Sequence, residues 1–471
     1  MADDKKIGLF ALIAIVIGSM IGGGAFNLAS DMAGAASPGA IILGWTITGI
    51  GMIALALSFQ NLNEKRPDLD GGVYSYASAG FGKFMGFNSA WGYWLSAWLG
   101  NVAYATLLFS SIGYFIPAFE GGQNIAAIIG ASILLWVVHA LVCRGVHSAT
   151  LVNIVTTVAK LVPIFLFIII GIFAFNIDIF LDDFWGTGAG FKFSDVMAQT
   201  KSTMLVTLWV FIGVEGAVVL SSRAKDKKDV GRATVIGLIS TLIIYVLISI
   251  MSIGAMNRAE VAGLSNPSMA YVFQEMVGPW GATFINLGLI VSVLGAWLGW
   301  TLLASEIPYL AGKDKLFPKW FAKVNKNGAP ANSLWLTNGL IQLFLLTFLV
   351  SEQAYNFAFS LASSAILIPY AFSAFYQLKY SIQEKSADRT KNIIIGLVAS
   401  IYGVWMVYAA GIGYLLLTML LYAPGILIYR AVQKEANVKQ VFTKTELAIA
   451  AAFVIFAGMA IVGLINGSIT I

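Results

Sequence analysis

Nearly the whole chain consists of runs of roughly 20 apolar residues joined by short polar segments, each run long enough to cross a ~30 Å hydrocarbon layer as a helix. The runs fall at about 8–28, 40–59, 86–115, 124–143, 149–174, 198–221, 233–256, 279–305, 333–351, 355–378, 393–411, 412–430 and 446–467. This predicts an all-α, polytopic membrane protein with about 13 transmembrane helices, because backbone polar groups in lipid must be satisfied within the segment. The division near Gly411 and Gly413 is the least marked. Composition agrees. With 59% hydrophobic and 11% charged residues, the chain has too few polar groups to cover a water-facing surface. No cleavable signal peptide is expected, since Met1 to Lys6 leads into a span that continues into the body of the protein. The single Cys143 excludes an internal disulfide framework. His139 and His147 are too few for a metal centre. No Walker sequence is present, so driving energy must come from gradients.

Positive charge orients the chain. With the N-terminus cytoplasmic, all but four of the 28 lysines and arginines fall in cytoplasmic loops. The exceptions are Lys192, Lys201 and Arg258 outside, and Lys160 within a span. The net charge of +5 is therefore an orientation signal rather than a sign of nucleic-acid binding. Thirteen spans would place the C-terminus outside.

Two spans carry glycines at their middle: Ile21-Gly22-Gly23-Gly24-Ala25-Phe26 in the first, and Ile212-Gly213-Val214-Glu215-Gly216 in the sixth. A span can break only where protein or a water-filled cavity surrounds the break. The breaks open two sets of five spans, residues 1–175 and 198–378, with 393–471 peripheral and suited to packing or oligomer contact. An odd number of spans per set inserts the second upside down, which is the logic of inverted-repeat carriers. Each break exposes amide N–H groups at one end and carbonyls at the other. The N–H end favours a carboxylate and the carbonyl end an ammonium, so an α-amino acid is the natural ligand. Gly22, Gly23 and Gly24 leave the backbone open to approach; close helix packing through small residues is the other use of such a triplet.

The stretches Gly18-Ser-Met-Ile-Gly-Gly-Gly-Ala-Phe26, Asp70-Gly-Gly-Val-Tyr-Ser-Tyr-Ala77, Trp91-Gly-Tyr-Trp-Leu-Ser-Ala-Trp-Leu-Gly-Asn101 and Leu208-Trp-Val-Phe-Ile-Gly-Val-Glu215 resemble the basic amino acid/polyamine antiporters of the amino acid–polyamine–organocation superfamily. The likeness covers spans one to twelve. It implies a LeuT-like, five-plus-five inverted repeat in a bacterial inner membrane. It also implies exchange of extracellular arginine for intracellular ornithine, or related cationic amino acids, in arginine breakdown, with no cofactor. By the same resemblance, the amides of Gly23 and Gly24 would hold the substrate carboxylate, and the carbonyls of Met20, Trp209 and Ile212 its α-ammonium. Trp209 would cover the substrate, Trp300 would stack on its side chain, Tyr93 would close the inner end and Asn101 would contact the ligand. Gly23 replaces a serine of a related exchanger, which removes one hydroxyl contact. Ser360 on span ten is a further polar candidate.

A cation over an aromatic face gains roughly 0.5–2 kcal/mol, modest enough to permit release. Charged groups at membrane depth usually face a cavity or partner. Glu215 would sense substrate charge or exchange a proton, as the resemblance implies for gating, or it would hold the broken helix by accepting backbone N–H bonds. Lys160, three residues before Pro163, would bond carbonyls near Gly22 and replace a sodium ion, as in relatives; snorkelling toward an interface is the competing role. Other readings of the chain are a proton-coupled importer of lysine or another amino acid, a histidine/histamine-type exchanger, a receptor subunit and a channel. Bulky Trp209, Trp297 and Trp300 suit occlusion better than continuous flow.

Overall fold

The computed structural model describes residues 7–69, 72–145, 149–186, 188, 190–219, 224–348, 354–438 and 440–469. Of the residues named or counted above, Met1 to Lys6, Asp70, Gly71, His147 and two of the cytoplasmic basic residues, Arg223 and Lys439, lie outside these ranges. The described secondary structure is helical, with one isolated bridge between Ile7 and Ala224.

Eleven helices are long and apolar enough to cross a bilayer, and the pair Leu9–Met20 and Gly24–Ala35, bent by 46°, makes a twelfth. The run at 333–351 forms the helix Ala331–Thr347, whose 17 residues reach about 26 Å at 1.5 Å per residue. Gly411, at φ +83°, separates Arg389–Ala410 from Ile412–Glu435, so the least marked division is a true helix boundary. Shorter helices between spans include Val73–Phe81 and Ser268–Val277.

The chain groups into two compact units. The first comprises residues 1–56, 104–131 and 148–299 and contains both halves of the bent span. There Lys227–Ala255 packs on Leu9–Met20 and on Gly24–Ala35. The approach is close because Gly237 carries no side chain; a Cβ there would meet Val16 Cγ1 at 2.6 Å. Pro163, inside the helix Ala149–Ala174, sits against Gly288 in the same way. The Gly24–Ala35 half is clasped from beyond its end. Arg258 Nη1 donates to the Ala33 carbonyl (3.1 Å), and the Ser268 hydroxyl both accepts from the Ser30 amide (3.0 Å) and donates to the Asn27 carbonyl (3.2 Å).

The second unit comprises residues 57–103, 132–147 and 300–471. The helix Ala354–Gln383 packs on Arg389–Ala410 and on Val73–Phe81, and Ile412–Glu435 packs on Lys444–Ile465. Polar pairs join its helices: Trp94 Nε1 to Thr337 Oγ1 (2.9 Å), buried, and Gln342 Nε2 to Ser132 Oγ (2.8 Å), part-buried. Lys65 and Glu384 form an ion pair at 2.8 Å.

Candidate substrate site at two broken spans

The first break begins where Ile21 leaves helical geometry (φ −76°, ψ 84°) and ends where Gly24 starts the next helix. Within it, the Gly22 amide turns back to the Met20 carbonyl (2.8 Å) and the Phe26 amide bonds the Gly23 carbonyl (3.1 Å). The amides of Gly23 and Gly24 donate to no described acceptor, although both residues are buried. Buried N–H groups ordinarily find a partner, so a pair of open donors at a helix N-terminus is an anion site in waiting. The three glycines are crowded on one side. A Cβ on Gly22 would overlap the Tyr104 hydroxyl, one on Gly23 would meet Leu107 Cδ1 at 2.5 Å, and one on Gly24 would meet Trp209 Nε1 at 2.7 Å. Tyr104 and Trp209 form a continuous aromatic wall, their ring centroids 6.0 Å apart.

The carbonyl side of this break is held by side-chain donors. Lys160 is buried, and its Nζ donates to the carbonyls of Gly18 (2.7 Å) and Ile21 (2.6 Å). A cation at a helix C-terminus meets the negative end of the dipole, and these bonds replace the water it has lost.

The second break follows Met204–Phe211. Ile212 turns to extended geometry (φ −60°, ψ 127°) and Gly213 adopts φ +109°. Only glycine takes that conformation without strain, and a Cβ there would also lie 2.9 Å from the Ser19 carbonyl group. This break closes largely on itself, through Ile212 N to Trp209 O (3.2 Å), Val214 N to Phe211 O (3.1 Å) and Gly216 N to Gly213 O (2.9 Å). Glu215 is completely buried within it.

Two hydroxyls fasten one break to the other. Tyr245 Oη lies 2.9 Å from both the Met20 and the Val210 carbonyl, so its single proton serves two helix C-termini. Ser19 Oγ lies 2.9 Å from the Val16 carbonyl and 2.8 Å from that of Gly213. Two negative helix ends thus meet around shared donors. Neither Tyr245 nor Ser19 is among the residues singled out from sequence. Ser19 lies inside the quoted Gly18–Phe26 stretch, and Tyr245 is a lone hydroxyl-bearing ring deep in an apolar span, so both left a faint signal.

The structure brings Met20, Gly22, Gly23, Gly24, Lys160, Trp209, Ile212 and Glu215 together in the first unit. Tyr93, Asn101, Trp300 and Ser360 belong to the second, and all four are buried. Asn101 lies three residues before Tyr104 on the helix Lys83–Phe115, and neither its Oδ1 nor its Nδ2 has a hydrogen-bond partner among the described residues. Of the three carbonyls expected to take an ammonium, Met20 already accepts from Gly22 and Tyr245, and Trp209 from Ile212. Those two bonds occupy both lone pairs of the Met20 carbonyl, so it would take an ammonium only by sharing.

The amino acid permease family model matches residues 7–453. The chain belongs to the amino acid permease family. Relatives agree along their full length. An arginine/ornithine antiporter of Pseudomonas aeruginosa is 49% identical, covering 100% of this chain and 99% of its own. One of Latilactobacillus sakei is 46% identical over 99% and 98%. An arginine/agmatine antiporter of Chlamydia abortus is 43% identical over 94% of each chain. Membership accounts for the all-helical, multi-pass architecture with a LeuT-like fold. It also makes the first break of this permease the natural place to seek an amino acid.

Proposed function

We propose that the protein exchanges extracellular arginine for intracellular ornithine by alternating access across a bacterial inner membrane, serving arginine catabolism. The observation that carries this reading is the pair of open, buried amides of Gly23 and Gly24, in the same break as the carbonyl-bearing end of Leu9–Met20. They supply opposite partial charges for the two ends of a zwitterion. The relatives of Pseudomonas aeruginosa and Latilactobacillus sakei, both arginine/ornithine antiporters, supply the choice of cationic amino acids. Trp209 and Trp300 would receive the cationic side chain by cation–π contact, with Asn101 and Ser360 as polar contacts, and Tyr93 and Glu215 would act in gating. Lys160 would take the place of a sodium ion in tying the first break to its neighbour, as in relatives, which would make the carrier sodium-independent; its bonds to the Gly18 and Ile21 carbonyls support this. The reading includes inverted repeats at 1–175 and 198–378 and a cytoplasmic N-terminus.

Proteoliposomes test it. Labelled arginine enters vesicles loaded with ornithine or arginine and does not enter empty ones, and Trp300→Ala weakens uptake. Uptake into empty vesicles driven by a pH step would replace exchange with proton symport, and single-channel currents would replace the carrier with a pore.

A further inference from the structure

We propose that the indole N–H of Trp297 is an additional substrate-binding donor, and that it takes the carboxylate of the transported amino acid. This rests on the exchange reading above and deepens it.

Trp297 is fully buried, yet its Nε1 has no hydrogen-bond partner among the described residues. A buried indole N–H normally has an acceptor. Its helix, Pro279–Lys313, meets the first break at Val293, whose Cγ2 would lie 3.4 Å from a Cβ on Gly23. Four residues later, one turn and about 6 Å along the axis, Trp297 shares that face. The far side of the helix is marked by Gly288 and Gly295, which sit against Pro163 and Thr156. An unmet donor is therefore carried one helical turn from Val293, the residue that meets Gly23 beside the two open amides.

The chemistry of the ligand then decides what this donor receives. The ammonium and guanidinium groups of a cationic amino acid only donate, as does an indole N–H. The carboxylate is the ligand's one acceptor and offers about four lone-pair sites, more than two backbone amides fill. Trp297 thus favours amino acids over their decarboxylated amines.

The test is binding to the full-length protein, with Trp297→Phe keeping an aromatic ring and losing the N–H. Arginine and ornithine weaken about tenfold or more, in keeping with a hydrogen bond to a charged group. Agmatine and putrescine, measured by competition, change less than about twofold. Equal weakening of both classes, or unchanged arginine binding, overturns the proposal. Should Trp297→Phe fail to fold, Trp297→His serves to assign the indole resonance in nitrogen-15 spectra of the wild type. Arginine shifts that resonance and agmatine does not; a resonance that arginine leaves in place overturns the proposal. A wild type that binds no arginine defeats the exchange reading itself, whereas arginine binding indifferent to Trp297 defeats only this inference.

Discussion

The two breaks solve the same backbone problem in opposite ways. The first uses three consecutive glycines, leaves two amides open and hands its carbonyls to side chains from other helices. The second uses one glycine of positive φ and satisfies most of its groups by internal turns. An interruption that stays open can exchange partners with a ligand, while one that is closed can only hold shape. On the proposed exchange, ligand specificity would belong mainly to Gly22–Gly24, and mechanical registration to Ile212–Glu215.

Substitutions should separate the two roles. The largest effect is expected from Gly213→Ala, which combines strained backbone, about 1–3 kcal/mol, with overpacking against Ser19, about 1–3 kcal/mol. The expected outcome is a lowered midpoint of thermal unfolding and no measurable counterflow; a stable, active variant would remove the shape-holding role of the second break. Next is Lys160→Met, which leaves two buried carbonyls without donors at about 1–3 kcal/mol each. Exchange should fall at least about tenfold, with sodium giving no rescue, as read by uptake in sodium and in choline buffers. Gly24→Ala should weaken arginine binding about tenfold, because the Trp209 ring must give way. Its comparison is Gly299→Ala, where a Cβ meets nothing within 4 Å, and stability should stay within about 0.5 kcal/mol. The smallest effect is Ser19→Ala, about 1 kcal/mol, read as a modest drop in unfolding temperature at nearly unchanged affinity.

Much of this was legible in the chain. Hydropathy finds every long run because lipid imposes one length and one polarity on a spanning helix. Glycines in mid-run locate both breaks because few other residues permit an interruption there. The fasteners were harder to see. Tyr245 and Tyr104 are aromatic residues in membrane helices, a type that also serves as interface anchor, and only three dimensions reveal that their hydroxyls lie against a break. Val73–Phe81 and Ser268–Val277, at 9 and 10 residues, are too short to register as spans. Asn101 was identifiable from its quoted stretch, but its unmet amide depends on packing that no local pattern encodes.

The grip of Lys160 on Gly18 and Ile21 has one further consequence. A free ion bound at the same carbonyls would come and go with its concentration in the medium. A tethered side chain is present at unit stoichiometry, so the severed rod keeps its fastening in brine or in fresh water alike.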